Sequence, residues 1–552
     1  MQGLKIFCIT AAIVVVAGCG ATFEADSQGH VMGAPPPVAA EPASVAGIVA
    51  FKANADALMR QPAARPVDRE QYAAIEHHSI KRVAEEPVST FSIDVDTASY
   101  ANVRRILMEG RLPRKDAVRV EELVNYFSYA DPAPGDRSAP FRVTTEMATT
   151  PWNPETRLMR IALKAWDVPQ QQLPPSNLVF LIDVSGSMEA ANKLPLLTRS
   201  IKLLTRRMRA QDRVSMVVYA GAAGVVLEPT AGDQSAKIEA ALDRLSAGGS
   251  THGSAGIQLA YAQAHDAFIK GGINRVILAT DGDFNVGTVD HRALLDLVEH
   301  EREAGVSLTV LGFGGGNLND RTMEQLADHG NGNYAYIDTL MEARKVLADQ
   351  MGGTLLTVAK DVKIQVEFNP ARVAEYRLIG YENRALKRED FNNDKVDAGE
   401  LGAGHSVVAL YEIGLTGSSA SLIDPLRYGD ALEVPNSATR DDELAYVKLR
   451  YKQPDGDKSA LLTFPVTNQA LANRTSDDFR FSAAVAAFGQ HLSGSVYIKS
   501  FDFADIEKLA RGARGQDADG YRTDFLQLVK LAASLQPPAG DRVGQRSDDT
   551  DG

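Results

Sequence analysis

Two hydrophobic periods divide this chain. Between about residues 174 and 354, short continuous apolar runs alternate with segments whose apolar residues step by three and four. The runs are Asn177 to Ile182, Arg213 to Tyr219, Val276 to Thr280, Ser307 to Phe313 and Asn333 to Ile337, and unbroken apolar character predicts strands buried on both faces. Leu197, Ile201, Leu204 and Met208 form one helical stripe, with Arg199, Lys202, Arg206 and Arg209 on the solvated face. Further helices are predicted over 236–245, 255–268, 291–304, 320–329 and 340–351. Repeated strand-helix units predict a doubly wound parallel sheet, whose ligands bind beyond the carboxyl ends of its strands.

Outside that block the period is two. Residues 358–367, 374–381, 406–413, 444–451 and 461–466 predict strands joined by turn-rich connections, and so do 90–96, 141–147 and 157–165 on the other side. Helices are predicted over 97–108 and 118–127, and again over 477–491 and 503–535. Strands on both flanks predict a single sandwich built from both, with the α/β block inserted into it. The expected organisation is therefore an N-terminal α+β segment (89–173), an α/β domain (174–354), a β-rich domain (355–470), a C-terminal helical segment (471–536) and a polar, disordered tail (537–552).

Chemistry begins where the first buried strand stops. Asp183, Ser185 and Ser187 alternate in Asp183-Val184-Ser185-Gly186-Ser187-Met188, and Gly186 permits a tight bend, so one short loop can aim three oxygen groups at a single point. Two hydroxyls and a carboxylate suit a hard cation such as Mg²⁺ better than Zn²⁺, which prefers His and Cys. Two later stretches can converge on the same place: Gly248-Gly249-Ser250-Thr251-His252-Gly253, and the strand end Thr280-Asp281-Gly282-Asp283. The competing account makes all of these strand-end caps and turns, where Asp and Ser are favoured for backbone bonding alone.

The ordered set D-x-S-x-S, Gly-Gly-x-Thr and Thr-Asp-Gly resembles a von Willebrand factor type A (vWA) domain with an intact metal-ion-dependent adhesion site. The resemblance covers residues 174–354 and implies a Rossmann-like vWA fold. It makes Ser185, Ser187 and Thr251 the hydroxyl ligands of Mg²⁺ or Mn²⁺, and Asp183 and Asp281 the carboxylates, acting through water. Asp283 and Asn285 fit as turn or outer residues. A partner carrying an exposed Asp or Glu would complete the ion's shell, and binding would couple to a shift of the helix at 340–351.

The N-terminus and composition add a location. Lys5 followed by the apolar residues 6–16 is too short to span a bilayer and suits a secretory signal. Val16-Ala17-Gly18-Cys19 resembles a bacterial lipobox, with Cys19 as the lipidated first residue of the mature protein. The chain's two cysteines are Cys8, inside that signal, and Cys19, so no thiol remains for a disulfide after cleavage. Acyl chains on Cys19 would hold the protein to a membrane, and Gly20 favours the outer membrane by resemblance to enterobacterial sorting. Residues 20–88 are rich in Ala and Pro and predict a tether. A net charge of −13 argues against nucleic acid as a partner. The overall arrangement resembles bacterial vWA-domain lipoproteins with family-specific flanking domains.

Catalysis is not expected, since H-E-x-x-H, the phosphate-binding G-x-x-x-x-G-K-[ST] and G-x-S-x-G are all absent from the sequence. The main reading is a metal-dependent binding module of the cell envelope. The alternatives are an envelope scaffold whose metal only stabilises loops, and a hydrolase using His252. Three other clusters read as structural. Glu76-His77-His78 is taken as solvated tether, Asp96 or Thr97 as a helix N-cap, and Asp390 to Glu400 as a polar loop, since it lacks the Gly and Glu positions of an EF-hand.

Overall fold

The computed structural model describes residues 69–536 except 137, 250–252, 283–290, 420, 425, 427–441, 473 and 499. The chain opens with strands β1 (Lys81–Arg82) and β2 (Val88–Ser92), helices α1 (Ala98–Met108) and α2 (Val120–Asn125), and the hairpin β3 (Phe141–Thr150) and β4 (Asn153–Ala165). The α/β block comprises β5 (Ser176–Asp183), α3 (Leu194–Thr205), β6 (Arg213–Tyr219), β7 (Ala223–Ala231), α4 (Ser235–Leu242), α5 (Gly253–Asp266), β8 (Ile273–Thr280), α6 (His291–Glu303), β9 (Ser307–Phe313), α7 (Asp320–His329), β10 (Tyr334–Ile337), α8 (Leu340–Arg344) and α9 (Met351–Leu355). Then come β11 (Thr357–Phe368), β12 (Val373–Ile379), β13 (Gly399–Gly402), β14 (Ser406–Leu415), β15 (Glu443–Lys452), β16 (Ser459–Thr467) and helices α10 (Asp477–Ser493), α11 (Phe503–Arg511) and α12 (Tyr521–Leu535).

The α/β sheet has the order β10-β9-β8-β5-β6-β7. Its central strand β5 is buried along its whole length. Alternate residues explain why: Leu178, Phe180 and Ile182 join one core, while Val179 and Leu181 join the core under α5 and α6. The neighbours of β5 are parallel, but β7 is an antiparallel edge strand paired with β6. Sequence periodicity gives no strand there, because Pro229 and a mixed polar pattern are compatible only with an edge.

The inserted-domain expectation matches the pairing. β4, before the α/β block, pairs along its length with β14, after it, in the sheet β1-β12-β14-β4-β3. A second antiparallel sheet, β13-β11-β15-β16 with β2 against β11, faces it across a shared core that includes Ile161, Leu163, Val407, Ile364, Val366 and Val447. β4 is apolar on both faces because Leu158 and Ala162 pack outward against a helical layer formed by α1, α2 and α10–α12. Tyr100, Phe127, Phe481, Phe488 and Phe525 are the aromatic centre of that layer.

Several expectations are corrected. The tether ends well before residue 88: Arg69 and Gln71 bond to the 316–318 backbone, Glu70 is buried on Arg105 at 2.8 Å, and Val83 is in the core. His77 and His78 are correspondingly not free. His77 contacts Glu382 and the Ser493 carbonyl, and burial lowers the His78 pKa. Neither Asp96 nor Thr97 caps α1 through its side chain; Asp96 instead accepts from the Tyr334 backbone at 2.9 Å, tying the N-terminal segment to β10. The helix expected over 340–351 is broken by a π-helical turn, Lys345–Asp349, and the 503–535 pattern is two helices.

A buried ionic seam fixes the α/β block to its flanks. Arg104 from α1 holds Asp338 at 2.5 Å and Glu342 at 2.7 Å. Arg119 holds Asp320 at 2.5 Å and also contacts Glu122. Arg384 reaches Asp328 at 2.7 Å and Asp94 at 3.3 Å. Carboxylates on α7 and α8 thus find their cations in the flanking segments.

Candidate metal centre

Asp183 ends β5, and Asp281 follows β8, the adjacent parallel strand. Both carboxylates are fully buried. The Ser185 amide donates to Asp183 Oδ1 at 2.9 Å, and the hydroxyls of Tyr219 and Thr280 donate to Oδ2 at 3.3 and 3.2 Å. The Ser185 and Ser187 hydroxyl oxygens lie 3.0 Å apart, Ser185 buried and Ser187 exposed. Ser187 also bonds Asp281. The sequence-chosen residues Asp183, Ser185, Ser187 and Asp281 are therefore brought together at the carboxyl ends of two central strands.

The second loop is fastened to the first by backbone bonds. The Gly248 amide donates to the Val184 carbonyl at 2.8 Å, and the Gly186 amide donates to Gly249 at 3.1 Å. Gly249 has φ +88, a left-handed conformation suited to glycine. Thr251, His252, Asp283 and Asn285 lie outside the described residues, as does Cys19.

Sequence reasoning missed Lys193. Its ammonium lies 2.8 Å from Asp281 Oδ2 and 3.2 Å from Asn317 Oδ1, and its stem is buried under Gly314. A Cβ on Gly314 would come within 2.2 Å of Lys193 Cε, so that glycine makes the room. No motif spacing marks Lys193, ten residues after Asp183 and just ahead of α3.

The electrostatics of the two carboxylates differ. Burial, with the Asp281 charge added, pushes the Asp183 carboxyl up against its hydrogen bonds from Ser185 and Thr280. Burial also opposes ionisation of Asp281, but Lys193, Ser187 and Asn317 outweigh it and hold that carboxyl below the usual range. Two carboxylates against one ammonium leave a residual negative charge lined by hydroxyls. This oxygen-only donor set fits a small hard divalent cation, which Asp183, Ser185, Ser187 and Asp281 would hold.

Comparison with known proteins identifies the domain in which these residues lie. A model described as von Willebrand factor type A domain matches residues 177–350, one described as von Willebrand factor matches 66–160, and one described as Uncharacterized protein YfbK, C-terminal, matches 353–535. The chain is 49% identical over 468 residues to YfbK of Escherichia coli (strain K12), covering 84% of this chain and 81% of that protein. It is 28% identical over 187 residues to sll0103 of Synechocystis, covering 34% of this chain and 43% of that one. Among solved structures, a von Willebrand factor type A protein from Catenulispora acidiphila is 16% identical, with a TM-score of 0.39, over 72% of this chain and 91% of its own. A vWA domain points in general to protein–protein interaction or adhesion, and such domains commonly bind a metal.

Proposed function

Because the chain belongs to the family of Escherichia coli YfbK, with a vWA domain followed by a YfbK C-terminal domain, we propose that it is a cell-envelope lipoprotein that captures a protein partner through a metal-dependent adhesion site. The observation that carries the reading is the meeting of buried Asp183 and Asp281 with the paired hydroxyls of Ser185 and Ser187, the last of which faces solvent. Asp183, Ser185, Ser187 and Asp281, with Thr251, would hold Mg²⁺ or Mn²⁺. When bound, such an ion supplies a Lewis-acidic position for an outside carboxylate, so the partner is a protein presenting an Asp or Glu. Asp183 is held in place by three donors, and the two backbone bonds between the first and second loops keep their spacing fixed.

Cys19 carries the lipid anchor in this reading, and the outer membrane is favoured over the inner. In this reading the protein binds rather than catalyses: the Ser185 hydroxyl is paired with Ser187, and Ser187 with Asp281, whose carboxylate is neutralised by Lys193.

The test is cross-linking in intact cells, followed by identification of captured proteins, with wild type and Asp183→Ala and with and without chelator. Capture should be lost in the variant and on chelation while the protein remains folded. Unchanged capture after chelation overturns the reading.

A second reading, an envelope scaffold, has one observation in its favour: Lys193 neutralises Asp281 directly. Under it, Mg²⁺ raises the melting temperature but no ligand binds in a metal-dependent way.

A further inference from the structure

The loop Asp390 to Glu400, read from sequence as merely polar, divides in the structure. Asp390 accepts from the Lys387 amide at 3.2 Å, Asn392 accepts from Arg450 at 3.1 Å, and Asp394 pairs with Arg450 at 3.1 Å and accepts from Ser459. Asp397 and Glu400 go elsewhere. With Asp361 of β11 they form a group in which one oxygen from each carboxylate lies within 4.8 Å of the other two.

β11 builds one wall of this group. Its pairing with β13 shifts register between Ala359 and Val362, and Asp361 sits in the bulge with φ 51. That conformation lets Asp361 Oδ1 accept from the Ala398 amide at 3.1 Å and places its carboxylate against the loop. β13 supplies Glu400, one residue past the Val362 to Gly399 pair.

The charges do not close. Asp361 pairs with Lys452 at 2.6 Å and Asp397 with Arg302 at 2.8 Å, two cations against three carboxylates. Glu400 is the residue left over: its side chain is buried, and its Oε1 has no hydrogen-bond partner among the described residues. Asp328 adds a further negative charge nearby, and Arg275 acts on Glu400 only through space, without an ion pair among the described residues. Burial and the two neighbouring carboxylates push the Glu400 carboxyl well up, the direction expected of an anion lacking its counter-charge. A buried carboxylate in that condition is costly unless a proton or a cation is supplied.

We propose that Asp361, Asp397 and Glu400 form a second cation site, separate from the centre at Asp183, and that it takes Ca²⁺. Two oxygens each about 2.4 Å from one ion lie no more than about 4.8 Å apart, so the observed spacing admits a shared Ca²⁺. The donors are all hard oxygens, which argues against Zn²⁺, and carboxylates drawn from a bulge, a loop and a strand suit the flexible coordination of Ca²⁺ better than the strict octahedron of Mg²⁺. Asp397 is half-exposed, with a side-chain exposure of 49%, and opens the group to solvent. Because Arg302 belongs to α6, the site lies on the seam between the vWA domain and the sandwich. Calcium there would join the two bodies.

Titration calorimetry of the full chain with Ca²⁺, in saturating Mg²⁺ to fill the first centre, tests the proposal. Wild type and Asp183→Asn should each bind one Ca²⁺, while Glu400→Gln and the half-exposed Asp397→Asn should lose at least tenfold in affinity. Ca²⁺ should raise the melting temperature of wild type and Asp183→Asn but not of Glu400→Gln. Melting of every variant in chelator checks that it folds, and Asp397→Asn carries the test if Glu400→Gln does not fold. The proposal fails if wild type takes up no Ca²⁺, if the folded Glu400→Gln or Asp397→Asn binds it as wild type does, or if only Asp183→Asn loses it. It fails equally if Glu400→Gln simply melts higher in chelator while wild type shows no response to Ca²⁺, which would mark a shared proton in place of a metal.

Discussion

The Lys193 ammonium lies 2.8 Å from the Asp281 carboxylate, inside the centre that Asp183, Ser185 and Ser187 complete. An ammonium so placed opposes a second cation in two ways, by charge repulsion and by occupying an oxygen that a hydrated metal ion would use. Lys193→Met keeps most of the buried stem under Gly314 and removes the charge with its bonds to Asp281 and Asn317. Mg²⁺ affinity should then rise about tenfold or more, roughly 1.4 kcal/mol. Titration calorimetry on both proteins measures it; equal or weaker binding by the variant would mean that Lys193 supports the metal rather than competing with it.

Gly282 sets the position of Asp281. Its φ is +100, and a Cβ there would lie 2.5 Å from the Asn319 amide nitrogen and 2.8 Å from Leu318 Cα, both backbone atoms that cannot swing aside. Gly282→Ala should therefore cost about 1–3 kcal/mol in a denaturant titration, from the strained backbone. It should also weaken metal binding, because the 317–319 segment that must move carries Asn317, the second partner of Lys193. Stability and affinity both at wild-type levels would show that the strand end has slack the geometry does not suggest.

The ionic seam predicts a sharp contrast between buried and exposed arginines. Arg119 is almost entirely enclosed with Asp320, Glu122 and Glu324, so Arg119→Met strands buried carboxylates and should cost about 3–5 kcal/mol. Arg511, paired with Glu507 on the surface of α11, should cost no more than about 1 kcal/mol when changed to Ala. Chemical denaturation of both variants decides the point. Similar losses would mean that the seam contributes no more than a surface pair.

The parts legible in the sequence are those where one local rule had no competitor. β5 reads as a buried strand because residues 177–182 are bulky and nearly all apolar, and Asp183, Ser185, Ser187 and Asp281 could be expected to meet because all lie at or just past strand ends. The insertion was legible because strands lie on both flanks, although only the β4 to β14 register establishes it. What stayed hidden depended on partners distant in sequence. Lys193 faces Asp281 from 88 residues away, and Glu70 faces Arg105 from 35. An Ala- and Pro-rich stretch gives no hint that its end, from Arg69 onward, is pinned by one buried salt bridge and a few backbone bonds. Asp361, which completes the acidic group, lies in a strand whose apolar alternation conceals the bulge.

His405 gives the protein an acid-sensitive joint. It packs against the end of the vWA domain so closely that a Cβ on Gly353 would fall 2.1 Å from its Nε2, and its Nδ1 is buried without a partner among the described residues. Burial first, then the charges of Lys164 and Lys345, lowers its pKa to about 4. The unfolded value is about 6.5. Since the folded pKa of this base lies below the unfolded one, the unfolded chain binds more protons between those two values, and stability must fall as pH drops from about 6.5 to about 4. The loss from this one group is at most about 3 kcal/mol. Buried carboxyls raised in the fold, Glu122 to about 8 and Glu324 to about 7, work in the opposite direction as pH falls. The informative quantity is therefore the difference between wild type and His405→Gln, in which those terms cancel. In urea titrations from pH 7 to pH 4, the variant should lose less stability than wild type, with the gap opening between about 6.5 and 4. Parallel curves across that range would remove His405 as the joint and leave the seam's carboxylates to set the acid response.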